Sequence, residues 1–488
     1  MATSPEASGA DVRRADRLAL SLPQLWAIVA VLLPALVLQG RLATIDLAYQ
    51  IRAGNLMLDT HHLIRADSFT FTVRGATWLD QQWGAQLLLA LVYRSLGWAG
   101  LAGARVLLVG TVSIFVYLAC RAAGSPPRWA ACLALAAVAI GVFDLSLRPQ
   151  LIGAALFAVG LWLVWGRRDH PGRLWAMPIV VAVWANVHGS FFLGPVLLGL
   201  AWLEDRGERS PAASRTLQVA AVAAAAATLN PLGLRVWSYA VGISTDSRIS
   251  RIVSEWQPPS IRDPGGALFF LSILVVGAVL ARRGLSLPWH RLAWLGVFFA
   301  VGLTATRSTL WWGLAAAPVM ATLFTEDPRR TQPQLDPSLL NTGIAGCLVV
   351  LALGLFPWSL VGNSPRSTDS HLSFAPPGIT VALGQVLRPG EAVYNPQVWG
   401  SWFELAFPEN PVFIDSRIEL FPDSVWREHA DVSVGREGWQ RILDRWNVRV
   451  VVAERGEQAL LIPIIPHDPG WVLVYEDADG AVFARAGP

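Results

Sequence analysis

From Leu22 to Leu360 the chain is a succession of apolar runs separated by short polar connectors. Most runs are about 17 to 23 residues long, the length a helix needs to cross the roughly 30 Å hydrocarbon core of a bilayer. The pattern predicts about eleven spans, at 22–40, 101–121, 127–143, 149–166, 174–187, 190–203, 214–229, 264–282, 288–305, 309–325 and 338–361. One apolar run, "WGAQLLLALVYRSLGW" at 83–98, is left out because it carries Arg94 near its middle. A charge at the bilayer centre costs about 2.5–3.5 kcal/mol on insertion scales, so this run is expected to lie along the interface. After Gly362 the pattern changes. Short β-rich runs ("EAVYN", "PVFID", "VRVVVAE", "WVLVYED", "AVFARA") alternate with helical patterns such as "GWQRILDRWNV" and "EQALLIPII". That alternation predicts a small α/β domain with a mostly parallel sheet and a final hairpin at "DADG". The chain therefore divides into a membrane region, 1–363, whose first outside connector is long (41–100), and a soluble region, 364–488.

Composition agrees with the pattern. With 53% hydrophobic and 15% charged residues and a mean hydropathy of +0.45, the 488-residue chain is too apolar for a soluble globular protein and reads as a polytopic membrane protein. Every one of the 38 basic residues is arginine, which reflects genome composition and, at a net charge of +3, argues for no nucleic-acid partner. Cys120, Cys132 and Cys347 lie in or beside apolar runs without metal-ligand spacing, so neither a disulfide framework nor a zinc site is indicated. The first apolar run follows Arg13, Arg14 and Arg17 but is long and lacks a small-residue cleavage site, so it reads as a retained anchor. Further arginine clusters stand at 121/128, 167/168/173, 206/209/215, 282/283 and 329/330. With 83–98 outside the bilayer core, all of them fall on the cytoplasmic side. The expectation is a multi-pass protein of the cell (inner) membrane, with its N-terminus in the cytoplasm and its C-terminal region outside.

The outer connectors then hold "FDLSLRPQ", "WANVHGS", "LNPLGLRVW", "SEWQPP" and "TATRS". Ionisable groups gathered at one membrane boundary mark a working face, although loops of any polytopic protein carry polar residues. In the first connector Leu47, Ile51 and Leu58 share one helical face and Arg52, Asn55 and Asp59 another, as in a helix resting at the interface. Asp46 stands at its start, where a carboxylate can cap free N–H groups. A polar loop, "HHLIRADSFTFTVRGATWLDQQWGAQ", follows; its adjacent His61 and His62 read as surface residues.

This order, an anchor, an Asp just outside it, an interfacial helix, a polar loop and a second surface helix, resembles the GT-C class of integral-membrane glycosyltransferases. The resemblance is nearest to the branch of protein O-mannosyltransferases and aminoarabinose transferases and to their bacterial relatives. It is carried by "IDLAYQIRAGNLML", "ADSFTFTVRGATWLDQQW", "RPQ", "WANVHGSFFLG", "LNPLG" and "SEWQPP", all within residues 41–260. It implies transfer of a sugar from a polyprenyl-phosphate donor to a glycan, lipid or protein acceptor at the outer face of the bilayer, in an inverting reaction. Asp46 would deprotonate the acceptor hydroxyl. Two departures leave donor and acceptor open: Leu47 follows Asp46 where well-studied members often place a second acid, and the lysine-proline pair of the aminoarabinose branch is absent.

Such a reaction needs a base for the nucleophile and cationic or hydrogen-bonding groups for the departing phosphate. Asp144 is a second outer carboxylate, able to assist Asp46, to hold a polar acceptor group, or to pair with Arg148 four residues later. Arg52, Arg148 and Arg307 are candidates for the phosphate, since a guanidinium binds two oxygens at once; snorkelling at a helix end is the alternative. Asn186, His188 and Gly189 are expected either to line the cavity or to cap a helix end. Glu255 is a candidate ligand for a sugar or a divalent metal, and no cofactor is certain. Asp415 and Arg417 in "FIDSR" stand at a strand end, where open α/β sheets place ligand contacts, or form a salt bridge. Walker, H-E-x-x-H and G-x-S-x-G motifs are all missing. Two rival readings remain. A transporter or flippase of lipid-linked glycans would need deep ionisable residues and inverted repeats, neither of which is detected. In a non-catalytic membrane scaffold, Asp46 would be dispensable.

Overall fold

Each predicted span contains a helix: Leu22–Val37, the second part of Trp83–Ala122, Pro127–Ile140, Pro149–Trp165, Met177–Ala185, Leu193–Gly207, Ala213–Ala226, Pro264–Arg283, Trp289–Thr304, Thr309–Ala321 and Leu339–Gly354. The computed structural model describes residues 19–245, 253–283, 287–325, 337–360 and 371–487. Arg13, Arg14, Arg17, Arg329, Arg330 and the linker at 363–370 lie outside the described residues. Three of the described helices are long and apolar enough to cross a membrane: Trp83–Ala122, Pro264–Arg283 and Leu339–Leu360. The others are shorter. The nine residues of Met177–Ala185 rise only about 14 Å, and 3₁₀ turns at Pro171–Ala176 and Gly189–Phe192 flank them. Trp83–Ala122 is broken at Gly97 (φ 59°, ψ −152°), a conformation that favours glycine, so the segment carrying Arg94 is a separate helix from the apolar one that follows.

The chain packs as two units, one of Met1–Gly40, Arg105–Leu145 and Gln150–Phe356, the other of Arg41–Ala104, Ser146–Pro149 and Pro357–Pro488. The first is helical. At its centre Thr309–Ala321 is buried at every position and packs against Pro127–Ile140 and Trp289–Thr304. Phe157 sits edge-on to Trp184, Phe298 and Trp311 nearby. Pro264–Arg283 and Leu339–Leu360 are instead nearly bare, exposing Leu271, Leu274, Leu340 and Val350. An apolar face of that extent is stable against hydrocarbon and not against water.

The second unit holds a four-stranded sheet of order β1-β2-β4-β3: β1 is Ala392–Tyr394, β2 Val448–Glu454, β3 Trp471–Glu476 and β4 Gly480–Arg485. Only β1 and β2 are parallel; β2–β4 and β4–β3 are antiparallel, so the expected mostly parallel sheet is corrected to a mixed one. The tight turn between Glu476 and Gly480 leaves no room for the crossover that parallel neighbours require. "EQALLIPII" is a run of turns rather than a helix, because Pro463 and Pro466 lack the N–H donors a helix uses. Residues 41–100, assigned from sequence to the membrane region as its first connector, pack in this unit, together with 101–104. Val412 N–H donates to Phe69 O (3.2 Å), Phe71 N–H to Val412 O (3.2 Å) and Phe413 N–H to Val393 O (3.0 Å), which extends the sheet by the "SFTF" segment. The Leu47–Thr60 helix crosses the 83–96 segment at Gly54, where a Cβ would fall 2.1 Å from the Gln86 carbonyl oxygen. Arg94 donates to Asn55 Oδ1 and to Asp59 Oδ1, both at 2.7 Å, which neutralises the charge that made this run a poor span.

Candidate functional site

Asp46 occupies the N-cap position of the Leu47–Thr60 helix with helical dihedrals (φ −79°, ψ −28°), and its side chain makes no capping hydrogen bond. The capping role that residue preference allows is therefore not the one the geometry shows. The carboxylate is half-buried and acts electrostatically on Tyr49 and Glu419. Glu419 touches solvent, yet desolvation, with the Asp415 and Asp46 charges adding to it, pushes its carboxyl up to about 7. Asp80 is likewise raised to about 7 by burial; its Oδ1 accepts from Gln86 Nε2 at 2.9 Å and its Oδ2 has no partner among the described residues. Burial and then Asp46 raise the Tyr49 phenol well above its ordinary value. Asp46, Glu419 and Asp80 all act on Tyr49, and the raised Asp80 and Glu419 carboxyls make this group of acids a candidate for proton handling.

Behind these acids stands Arg417, 1% exposed. It is paired to Asp67 Oδ1 at 2.7 Å, to Asp415 Oδ2, and more loosely to Glu404 Oε1 at 3.6 Å. Its guanidinium lies 4.6 Å from the centroid of Trp78, 4.8 Å from Phe69 and 5.9 Å from Tyr49. Burial alone would lower its pKa, but Asp415, Glu404 and Asp67 more than offset that and hold it charged. Asp67 also anchors the "ADSFT" turn, accepting from the Thr70 amide (3.1 Å) and hydroxyl (2.7 Å). Asp67 and Asp415 already outnumber the one arginine. A third charge would leave the cluster at −2, so burial and Asp415 raise Glu404 well above the usual carboxyl range. Neither Glu404 oxygen accepts a hydrogen bond among the described residues, the protonated acid being placed to donate to Asp415, and Arg417 Nη1 has no partner there. Sequence analysis named Asp415 and Arg417 but missed Asp67, Glu404, Asp80 and Glu419. A glutamate inside the apolar run "WFELAF" was the available signal.

The remaining sequence-predicted residues fall as follows. Arg52 donates to Pro408 O (3.0 Å) and lies 5.5 Å from the Phe69 centroid. Asp144 and Arg148 are both buried, the former closing the 3₁₀ turn Val142–Asp144. In the helical unit Arg307 Nε and Nη2 donate to Gln150 Oε1 (3.1 and 2.6 Å), Gln150 Nε2 returns a bond to Arg307 O (3.0 Å), and the guanidinium stacks 4.8 Å from Trp256. The "RPQ", "SEWQPP" and "TATRS" motifs thus brace one another, with half-buried Glu255 beside Trp256. Asn186 Nδ2 donates to Ala182 O and Leu229 O (both 2.8 Å), and Asn230 Nδ2 donates to Asn186 Oδ1 (3.2 Å), which joins "WANVHGS" to "LNPLG". His188 Nδ1 accepts from the Ser190 amide (3.2 Å) and meets its hydroxyl at 2.7 Å, capping Gly189–Phe192.

Among the described residues, only Glu204, Glu208 and His290 bring three ligand atoms within 4.8 Å of one another. Glu204 is already contacted by Arg167, Arg168 and Arg291, and Glu208 by Arg168, so a divalent cation there would face three guanidiniums and does not fit. Asp46, Asp80 and Glu419 do not converge to that distance, and no step is routed through a metal.

No family model and no curated protein matches the chain. Solved structures do. The fold is similar to that of the apo oligosaccharyltransferase of Archaeoglobus fulgidus, with a TM-score of 0.53 and 12% identity over 94% of this chain and 74% of that one. It is also similar to AglB, the oligosaccharyltransferase of that archaeon in complex with an inhibitory peptide and a dolichol-phosphate, with a TM-score of 0.52 and 12% identity over 98% and 75%. The chain is a membrane protein whose fold is similar to that of archaeal oligosaccharyltransferases.

Proposed function

We propose that this protein is a GT-C-like membrane glycosyltransferase that moves a sugar from a polyprenyl-phosphate-linked donor to an acceptor at the extracytoplasmic face, with inversion. The observation that carries the proposal is the fold shared with oligosaccharyltransferases over 94% of the chain. In this reading the eleven apolar segments span the bilayer, the shorter helices doing so together with their flanking turns. Asp46 takes the proton of the acceptor hydroxyl as its oxygen attacks the anomeric carbon; the bond from that carbon to the phosphate oxygen breaks, and the lipid phosphate leaves with the electron pair. Glu419 and Asp80, poised near neutrality, take the proton onward. Arg52, Arg148 and Arg307 are the groups proposed for the phosphate, Asp144 and Glu255 for the acceptor, and Asn186 and His188 for holding the outer turns in place.

Asp46→Asn decides the central step. It keeps the shape and helix-capping capacity of the residue but removes the proton acceptor. Transfer from a polyprenyl-phosphate sugar by the purified, folded variant is expected to fall by roughly 100-fold or more. Activity near wild type would remove Asp46 from the mechanism, and absence of transfer by the wild type itself with polyprenyl-linked donors would favour a flippase or a scaffold.

A further inference from the structure

A cavity of about 260 Å³ opens where two apolar helices of the first unit end. Leu118, Arg121 and Ala122 come from the last turns of Trp83–Ala122, Trp162 and Leu163 from the last turn of Pro149–Trp165, and Gly166, Asp169, His170 and Arg173 from the connector beyond it. The lining is graded along the helices. Leu118, Ala122, Trp162 and Leu163 form an apolar wall, and Arg121, His170 and Arg173 stand at the helix ends. Because the apolar helix that follows Gly97 within Trp83–Ala122 is itself long enough to cross a membrane, its Arg121 end belongs at the boundary between hydrocarbon and headgroups, where tryptophan and arginine concentrate.

The arginines here are held but not neutralised. Arg121 Nη1 donates to the Ser125 carbonyl (2.5 Å), and the Arg173 guanidinium lies 5.7 Å from the Trp162 centroid; among the described residues neither has an ion-pair partner. Asp169 is the one carboxylate of the lining, so its two arginines leave it with a formal positive excess of one before His170 is counted. The carbonyl ends of the two helices would repel an anion by themselves, and the two guanidiniums reverse that sign.

We propose that this cavity binds the phosphodiester headgroup of an anionic membrane phospholipid, its phosphate on Arg121 and Arg173 and its acyl chains along Leu118, Trp162 and Leu163. One negative charge matches the formal excess of the lining. A phosphodiester joined to hydrocarbon uses both halves of the wall, whereas free phosphate uses only one.

The test is thermal unfolding of the full-length protein in neutral detergent, titrated separately with phosphatidylglycerol, phosphatidylcholine and inorganic phosphate. Phosphatidylglycerol is expected to raise the midpoint saturably, and the other two to leave it unchanged. Arg173→Gln keeps the Arg121 bond to Ser125 and should shift half-saturation by about tenfold, the double change Arg121→Gln/Arg173→Gln abolishing the response. An unchanged midpoint in phosphatidylcholine shows that a variant is folded; if the double variant is not, Arg173→Gln decides by itself. Equal shifts with phosphatidylcholine, a shift with phosphate alone, or an Arg173→Gln titration matching wild type would each overturn the proposal. None of these readouts involves sugar transfer, so they stand apart from the proposed reaction.

Discussion

Two buried clusters of arginine and carboxylate, one in each unit, differ in their balance. In the helical unit Arg167, Arg168 and Arg291 face Glu204, Asp205 and Glu208, and the charges cancel. Arg167 grips Asp205 Oδ1 through Nη2 at 2.7 Å, and the Thr216 hydroxyl donates to Asp205 Oδ2 at 2.7 Å. In the other unit a single arginine, Arg417, faces Asp67, Asp415 and Glu404, with Asp80, Glu419 and Asp46 beyond it. A cluster with matched charges is finished: it ties helix ends together. One with surplus carboxyls favours the protonated form of some of them, as the raised Glu404 carboxyl shows. The difference in balance separates a brace from a candidate site better than burial does, since each cluster has a buried centre, Arg167 with Glu204 and Asp205 in one and Arg417 with Asp67, Asp415 and Glu404 in the other.

The comparison breaks first at its arginines. Arg417→Leu strands Asp67 and Asp415, which pair with no other guanidinium among the described residues, and should cost about 3–5 kcal/mol, enough to unfold the C-terminal region in chemical denaturation followed by tryptophan fluorescence. Arg167→Leu should cost clearly less, because Arg168 and Arg291 still contact Glu204 and Thr216 still serves Asp205. Equal losses would mean that charge balance does not distinguish the two clusters.

The same contrast explains what could be read from the chain. Apolar runs located the helices, because burial in lipid or protein depends on local composition, whereas the break at Gly97 that separates the Arg94 segment from the helix after it is a feature of the backbone. Strand pairing depends on partners far apart in sequence: nothing in "SFTF" announces Val412, more than 300 residues away, so its place in the sheet was not legible. For the same reason the Arg417 cluster was half seen. Asp415 and Arg417 share one motif, while Asp67 and Glu404 arrive from elsewhere. Asp46 was legible as an acid at a helix start, but only its side-chain geometry shows that it does not cap that helix.

A sequence-nominated residue of the helical unit gives a middle-sized effect. Asn186 joins two turns through Leu229 O and Asn230, so Asn186→Ala should lose about 2 kcal/mol of stability. Below its lowered melting point the variant should transfer sugar nearly as well as wild type. Transfer abolished with the melting point unchanged would place Asn186 on the substrate instead of between the turns.

The smallest effect probes the surplus acid directly. Glu404 has its carboxyl raised, first by burial and then by Asp415. In the unfolded chain it ionises in the ordinary carboxyl range, near about 4.3. Above that pH the folded state binds more protons than the unfolded one, so wild-type stability falls as pH climbs from there toward the raised folded value. Glu404→Gln does not titrate, and its amide can turn the carbonyl oxygen toward Arg417 and the N–H toward Asp415, as the protonated acid does. Melting curves of the two proteins should therefore coincide near pH 4 and separate on the way to pH 8, the variant ending a few degrees more stable. A variant less stable at pH 8 would mean that Glu404 is ionised against Arg417, that the cluster carries its full negative charge, and that the two clusters differ in size rather than in protonation.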